Sequence, residues 1–272
     1  MDYHFLCNDF FEQYKKTKDI KKSIKNYINN NLNILKSIYF VPKRIEDSKI
    51  ECFIEDNEYI KTMLDTISNL ENIDLNELFV KIVNELGNIL NYKNINKKIY
   101  IIIGLNTTTI YSTKYQGEDI TVILLESTLG LEKNIKMLLA HEYTHWIRAK
   151  EIKHDIFEKC IGERFITEGI ACNFSEEMVP KMPESYYCIV PDTTVQWVKD
   201  NIIAIDNFTK NELEKNSMMY DFFYMFAKTK LPSMPVRTGY VYGYIKVKEY
   251  MKRKRLKVKD IVNLDWRDIL NG

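Results

Sequence analysis

Two histidines four residues apart, with a glutamate directly after the first, stand mid-chain: Lys136–Arg148 reads KMLLAHEYTHWIR. On a helix, residues four apart lie one turn apart on the same face. His141 and His145 can therefore point their imidazoles at one ion, and neutral imidazole is a good zinc ligand. Glu142 is displaced around the helix from that pair. Its carboxylate then falls beside the ion rather than on it, where it can take a proton from an activated water. The spacing is the HExxH pattern of zinc hydrolases. Histidine is scarce, 4 among 272 residues, so a chance match is rare. Ile135, Leu138, Leu139, Trp146 and Ile147 predict that the helix is held against a core, which leaves the histidines partly desolvated, as a metal site needs.

A catalytic zinc takes three protein ligands and keeps a fourth position open. In one known arrangement, HExxHxxGxxH, a glycine turns the chain so that a third ligand follows. Here the glycine position is Arg148 and the ligand position Glu151; the helix continues and Glu151 points away. His154 and Asp155 reach the site only if the loop folds back sharply, and His154 reads as a surface histidine. Glu168 is the better candidate. It lies in Ile166–Ala171, ITEGIA, 23 residues after His145 and on the next helix. Two antiparallel helices would bring it opposite the histidine pair, and the small Gly169 and Ala171 allow a close helix–helix approach. A glycine inside a helix costs about 1 kcal/mol against alanine, so Gly169 calls for a packing or functional reason. His2Glu is a recognised catalytic zinc set. The competing reading of Glu168 is an ordinary surface carboxylate.

The elements around this core are predicted from periodicity. Phe10–Phe40 is Lys- and Asn-rich with an apolar helical stripe of Ile24, Tyr27, Ile28 and Leu32; its lysines read as a solvated face. Val41–Pro42 breaks the pattern. Helices follow at Glu58–Asn69 and, capped from Asn72–Ile73–Asp74, at Leu75–Leu90, with Leu78, Ile82, Val83 and Leu86 inward. Lys98–Gly104, Thr108–Thr113 and Ile120–Glu126 read as strands, with a turn at Gln116–Gly117–Glu118–Asp119. Further helices are predicted at Leu131–Lys150, Phe157–Glu177, Thr193–Ile205, Lys210–Ala227, Gly239–Arg253 and Val258–Leu270. Val179–Pro191, with three of the six prolines, and Lys230–Thr238 read as irregular. Nine glycines and six prolines in the whole chain favour a mostly helical fold.

Bulk properties narrow the partners. Lys and Arg total 39 against 38 Asp and Glu, so no net charge draws the chain to nucleic acid or anionic membranes. Met251–Lys259, MKRKRLKVK, is better read as cations at a helix C-terminus than as a phosphate contact. No apolar run reaches about 18 residues, so no membrane span is expected. Cys7, Cys52, Cys160, Cys172 and Cys188 are scattered without CxxC spacing, which predicts free thiols in a reducing compartment. The acidic, aromatic start has no apolar signal-peptide region, so the expected location is the cytoplasm.

HEYTHWIR followed by ITEGIA resembles the HEYxH…EGLA signature of the YjaZ-like predicted zinc-dependent proteases of bacteria. Tyr220–Tyr244, with its FF pair, Pro232 and GYVYGY (Gly239–Tyr244), is similar to that family's C-terminal aromatic–Pro–GYxxGY block, and the likeness runs from about Lys98 onward. The resemblance implies a gluzincin-type metallopeptidase: His141, His145 and Glu168 as zinc ligands, Glu142 as general base, and a peptide or protein as substrate. It implies an α+β, mostly helical fold, with a zincin-like core whose small sheet packs on the HExxH helix. The catalytic region would span residues 97–272 and an N-terminal helical region residues 1–96. Many gluzincins carry an acidic residue four positions after the ligand glutamate, orienting a histidine. Here that position is Cys172, with Glu163, Asn173 or Glu176 as substitutes. Peptide hydrolysis builds an oxyanion that a phenol can stabilise; Tyr240 or Tyr244 could supply it, or both could be core aromatics. Ile120–Glu126, as an edge strand, would bind an extended peptide; its apolar side chains suit a sheet core equally. The alternative to an enzyme is a zinc-binding regulatory module whose Lys-rich helices dock a partner.

Overall fold

The computed structural model describes residues 1–38, 55–70, 73–93, 95–104, 109–125, 131–152, 160–215 and 234–272. Within them the chain is mostly helical with one four-stranded sheet, an α+β protein. It packs as two compact units, Met1–Val83 with Asn94–Ile135 and Asn84–Lys93 with Lys136–Gly272. No described helix is long and apolar enough to cross a membrane.

The first unit comprises β1 (Asp2–Phe5), α1 (Cys7–Thr17), α2 (Ile20–Asn30), α3 (Leu32–Ile38), α4 (Asn57–Leu70), most of α5 (Leu75–Ile89), β2 (Lys98–Ile103), β3 (Thr109–Tyr115) and β4 (Glu118–Leu125). The Phe10–Phe40 region divides into three helices. Lys18 takes a left-handed φ of 54°, and Asp19 then caps α2 by accepting from the Lys22 N–H at 3.0 Å. Ile24, Tyr27 and Ile28 are buried as the stripe predicts, while Lys15, Lys16, Lys21, Lys22 and Lys25 face solvent. Asp74 caps α5, accepting from the Glu77 N–H at 2.9 Å. Val41–Pro42 and Asn72 lie outside the described residues.

The sheet runs β1-β2-β4-β3. β1 and β4 flank β2 in parallel, with Asp2 opposite Lys98 and Lys98 opposite Ile120, and β3 pairs antiparallel to β4. Gln116 and Gly117, at φ 51° and 82°, make the two-residue turn between β3 and β4. The edge-strand expectation for Ile120–Glu126 is corrected: β4 lies between β2 and β3, and Ile120–Leu125 is buried throughout, a sheet core. Among the described residues the edges are β1 and β3.

The second unit takes the end of α5, α6 (Leu131–Glu151) from Lys136 onward, α7 (Ile161–Met178), α8 (Glu184–Cys188), α9 (Asp192–Asp200), α10 (Ile202–Thr209), α11 (Thr238–Lys254), α12 (Val258–Ile261) and α13 (Trp266–Asn271). Three predicted spans are corrected. The proline-rich Val179–Pro191 holds a short helix. Thr193–Ile205 and Val258–Leu270 each fall into two helices, broken at Asn201 and around residues 262–265. Residues 210–215 form turns, and the rest of the predicted Lys210–Ala227 helix lies outside the described residues. α11 ends with Lys252, Arg253 and Lys254 in its last turn, so the basic run does complement a helix C-terminus.

α7 is buried on nearly every face, as a helix at the centre of its unit must be. Its close neighbour is α11. A Cβ on Gly169 would stand 2.3 Å from the Gly243 carbonyl oxygen, and one on Gly243 would stand 2.0 Å from that of Phe165. The reason for Gly169 is thus a backbone-to-backbone crossing with α11, rather than the approach of the histidine helix that the sequence predicts.

Candidate metal centre

α6 and α7 bring three ligand-type side chains together. Nε2 of His141 lies 3.2 Å from Oε2 of Glu168, and Nε2 of His145 lies 3.4 Å from the same oxygen. All three ligand atoms fall within 4.8 Å of one another. His141 and Glu168 are 6% and 8% exposed, while His145 is half-buried, so the cluster opens on the His145 side. Glu142, in the same turn of α6, is 6% exposed. Glu151 is exposed, and His154 and Asp155 lie outside the described residues.

The cluster fits a small dication. Tetrahedral ligands at about 2.0–2.2 Å from an ion stand about 3.3–3.6 Å apart, close to the two separations seen here. Two imidazoles and one carboxylate are a zinc donor set, and Glu168 supplies a compensating negative charge. Nδ1 of His141 is buried and makes no hydrogen bond. The Cys172 thiol interacts with the ring without completing a bond of good geometry to that nitrogen. The substitutes considered for Cys172 are engaged elsewhere: Glu163 with Arg148, Asn173 with the Gly169 and Tyr244 carbonyls, Glu176 with Tyr244 and Lys248.

The metal-free cluster is a proton trap. Burial pushes His141 down, but Cys172 and Glu168 outweigh it and raise its pKa to about 9. Burial pushes Glu168 up, but the charge of His145 and hydrogen bonds from both histidines hold it well below the usual carboxylate range. The raised His141 stabilises the metal-free fold fully below its ordinary value of about 6.5, and that contribution is lost as pH rises through about 9. The depressed Glu168 contributes above its ordinary value and loses its contribution as pH falls. A metal must displace the His141 proton. Apparent zinc affinity is therefore expected to climb by about tenfold per pH unit between about 6.5 and 9, with proton release on binding. Calorimetry in buffers of different ionisation enthalpy measures both; a pH-independent affinity contradicts this coupling.

Sequence reasoning missed the fastening beneath the ligands. Arg148, one turn after His145 on α6, has a fully buried side chain. Its Nη2 donates to both Glu163 oxygens at 2.7 and 2.9 Å, and its Nε to the Thr167 hydroxyl at 3.0 Å. Its Nη1 donates to the Val262 and Leu264 carbonyls at 2.9 and 3.1 Å. Thr167 precedes Glu168 directly, so this network sets the histidine helix against the glutamate helix. The available signal was a guanidinium directly after the apolar pair Trp146–Ile147, one turn beyond His145.

The two tyrosines separate cleanly. The Tyr244 ring is buried; its hydroxyl donates to Glu176 at 2.8 Å and accepts from Lys248 at 2.6 Å. The Tyr240 ring instead stacks on His141, with centroids 6.4 Å apart and planes 13° apart. The guanidinium of Arg237 lies 4.1 Å over the Tyr240 ring. Residues 220–233 of the aromatic–Pro block lie outside the described residues.

Fold and site define a mostly helical α+β protein with a candidate His2Glu metal cluster. The chain belongs to the family described as predicted Zn-dependent protease (DUF2268), whose family model matches residues 75–271. No curated protein and no solved structure gave a match.

Proposed function

We propose that the chain is a zinc-dependent peptidase of the gluzincin type, with a zincin-like core. The observation that carries this is the convergence of His141 and His145 on one oxygen of Glu168, with Glu142 in the same helical turn as the histidines. His141, His145 and Glu168 would hold zinc, which when bound supplies Lewis-acid activation of water and of the peptide carbonyl. Glu142 accepts the proton of the attacking water and returns it to the leaving amine. Tyr240 donates its hydroxyl proton in a hydrogen bond to the carbonyl oxygen as charge builds there. Burial, then the Glu168 charge, raise the pKa of this phenol, which keeps it a donor. The free thiols Cys7, Cys160, Cys172 and Cys188 support a reducing, cytoplasmic setting for the reaction.

Purified protein is expected to carry one zinc per chain and to cleave an unfolded protein such as casein, with activity lost to a chelator and restored by zinc. Glu168→Ala is expected to lose zinc on dialysis; stoichiometric zinc retained by that variant would remove Glu168 from the ligand set. Tyr240→Phe should lower kcat by about 100- to 1,000-fold with zinc retained. An unchanged kcat returns Tyr240 to a packing role.

A further inference from the structure

Beside the cluster stands a cation, Arg237, for which the described residues provide no carboxylate partner. Among them its buried Nε makes no hydrogen bond. Arg148 and Arg267, by contrast, each hold a carboxylate. Arg237 is held over the Tyr240 ring at 4.1 Å, and that ring stacks on His141 at 6.4 Å. Two ring contacts thus link the free guanidinium to a ligand of the candidate metal. An extended peptide covers that span in at most about three residues.

The backbone supports a ligand-directed role. Arg237 has a φ of 63°, a left-handed conformation that costs free energy for a non-glycine residue. It occupies the N-cap of α11, yet its side chain caps nothing, and the first turn of α11 carries no acidic residue. The positive end of the helix dipole therefore begins at this residue with no acidic side chain in the first turn to answer it. The charges of Arg237 and Arg164 both act on the Tyr240 hydroxyl, against the larger opposing charge of Glu168. A partly desolvated guanidinium is costly unless paired, and its planar fork matches a carboxylate with two hydrogen bonds.

We infer that Arg237 forms a carboxylate-binding subsite next to the metal cluster, so that the favoured substrates are peptides bearing a carboxylate close to the bond that is cut. The word peptide rests on the function proposed above; the anion rests on Arg237 itself. The carboxylate is either the C-terminus of the peptide or an Asp or Glu side chain.

The test is a titration of the full chain carrying Glu142→Gln, zinc-loaded, by calorimetry. One probe pair is acetyl-Phe-Phe as free acid and as amide; the other is acetyl-Phe-Glu-amide and acetyl-Phe-Gln-amide. The carboxylate member of one pair is expected to bind about tenfold more tightly than its neutral partner. Discrimination in the first pair assigns a C-terminal carboxylate, and in the second a side chain. Adding Arg237→Gln should bring the ratio to about one, with zinc content, unfolding midpoint and neutral-probe binding unchanged, while Arg237→Lys should keep part of it. Equal binding within both pairs, absence of binding, or discrimination that survives Arg237→Gln overturns the inference. A chain that takes up no zinc would refute the peptidase reading separately, and the same titration on metal-free protein still reads the subsite.

Discussion

Glu142→Gln is expected to leave one zinc per chain in place and to lower peptide cleavage by about 100- to 10,000-fold. The amide has the size and shape of the carboxylate, so the packing of α6 should not change. It differs in one respect: it has no basic oxygen to accept the proton of an attacking water. Glu142 is outside the three-residue ligand cluster, so its loss should not cost the metal. Metal analysis paired with steady-state kinetics separates the two effects. Equal kcat/KM in variant and parent would exclude Glu142 as the base, and loss of zinc would make it a ligand instead.

Arg148→Met is expected to destabilise the protein by about 3–5 kcal/mol, the cost of stranding one member of a buried ion pair. Glu163 keeps only 3% of its side chain exposed and would be left charged without its partner. The Val262 and Leu264 carbonyls would lose their guanidinium donors as well. The double replacement Arg148→Met with Glu163→Leu should recover much of the loss, because the penalty belongs to the unpaired charge. Urea unfolding of the single and double variants measures it. A single-variant loss below about 1 kcal/mol would mean that water reaches Glu163.

The parts of this architecture that a sequence displays are those encoded within one helical turn or one strand. The His141–His145 spacing is a helix period, and the burial of Ile99–Ile103 is written in its β-branched run. Glu168 was reachable because one short helix connection limits where it can lie. Other features depend on partners far along the chain. β1 is four residues, DYHF, without an apolar run, and becomes a strand only because Lys98 and its neighbours offer an open side to it. Gly169 announces a close contact but not that its partner is Gly243, 74 residues later. GYVYGY does not say which tyrosine meets the metal cluster; the partners of Tyr244 decide that. Arg237 carries no local signal, since its meaning lies in the absence of a carboxylate partner among the described residues.

The fastening at Arg148 also has a schedule. Glu163 and Thr167 are 15 and 19 residues away from it, but the two carbonyls are 114 and 116 residues further on. A ribosome adding about 5–20 residues per second makes Glu163 available within a few seconds, and Val262 and Leu264 only about 6–23 s after Arg148. The ligand helices α6 and α7 can therefore pair early through one carboxylate, while two guanidinium bonds wait. Completion of the candidate metal pocket is then expected to be a late step of biosynthesis, set by the arrival of two backbone oxygens that lie outside the ligand cluster.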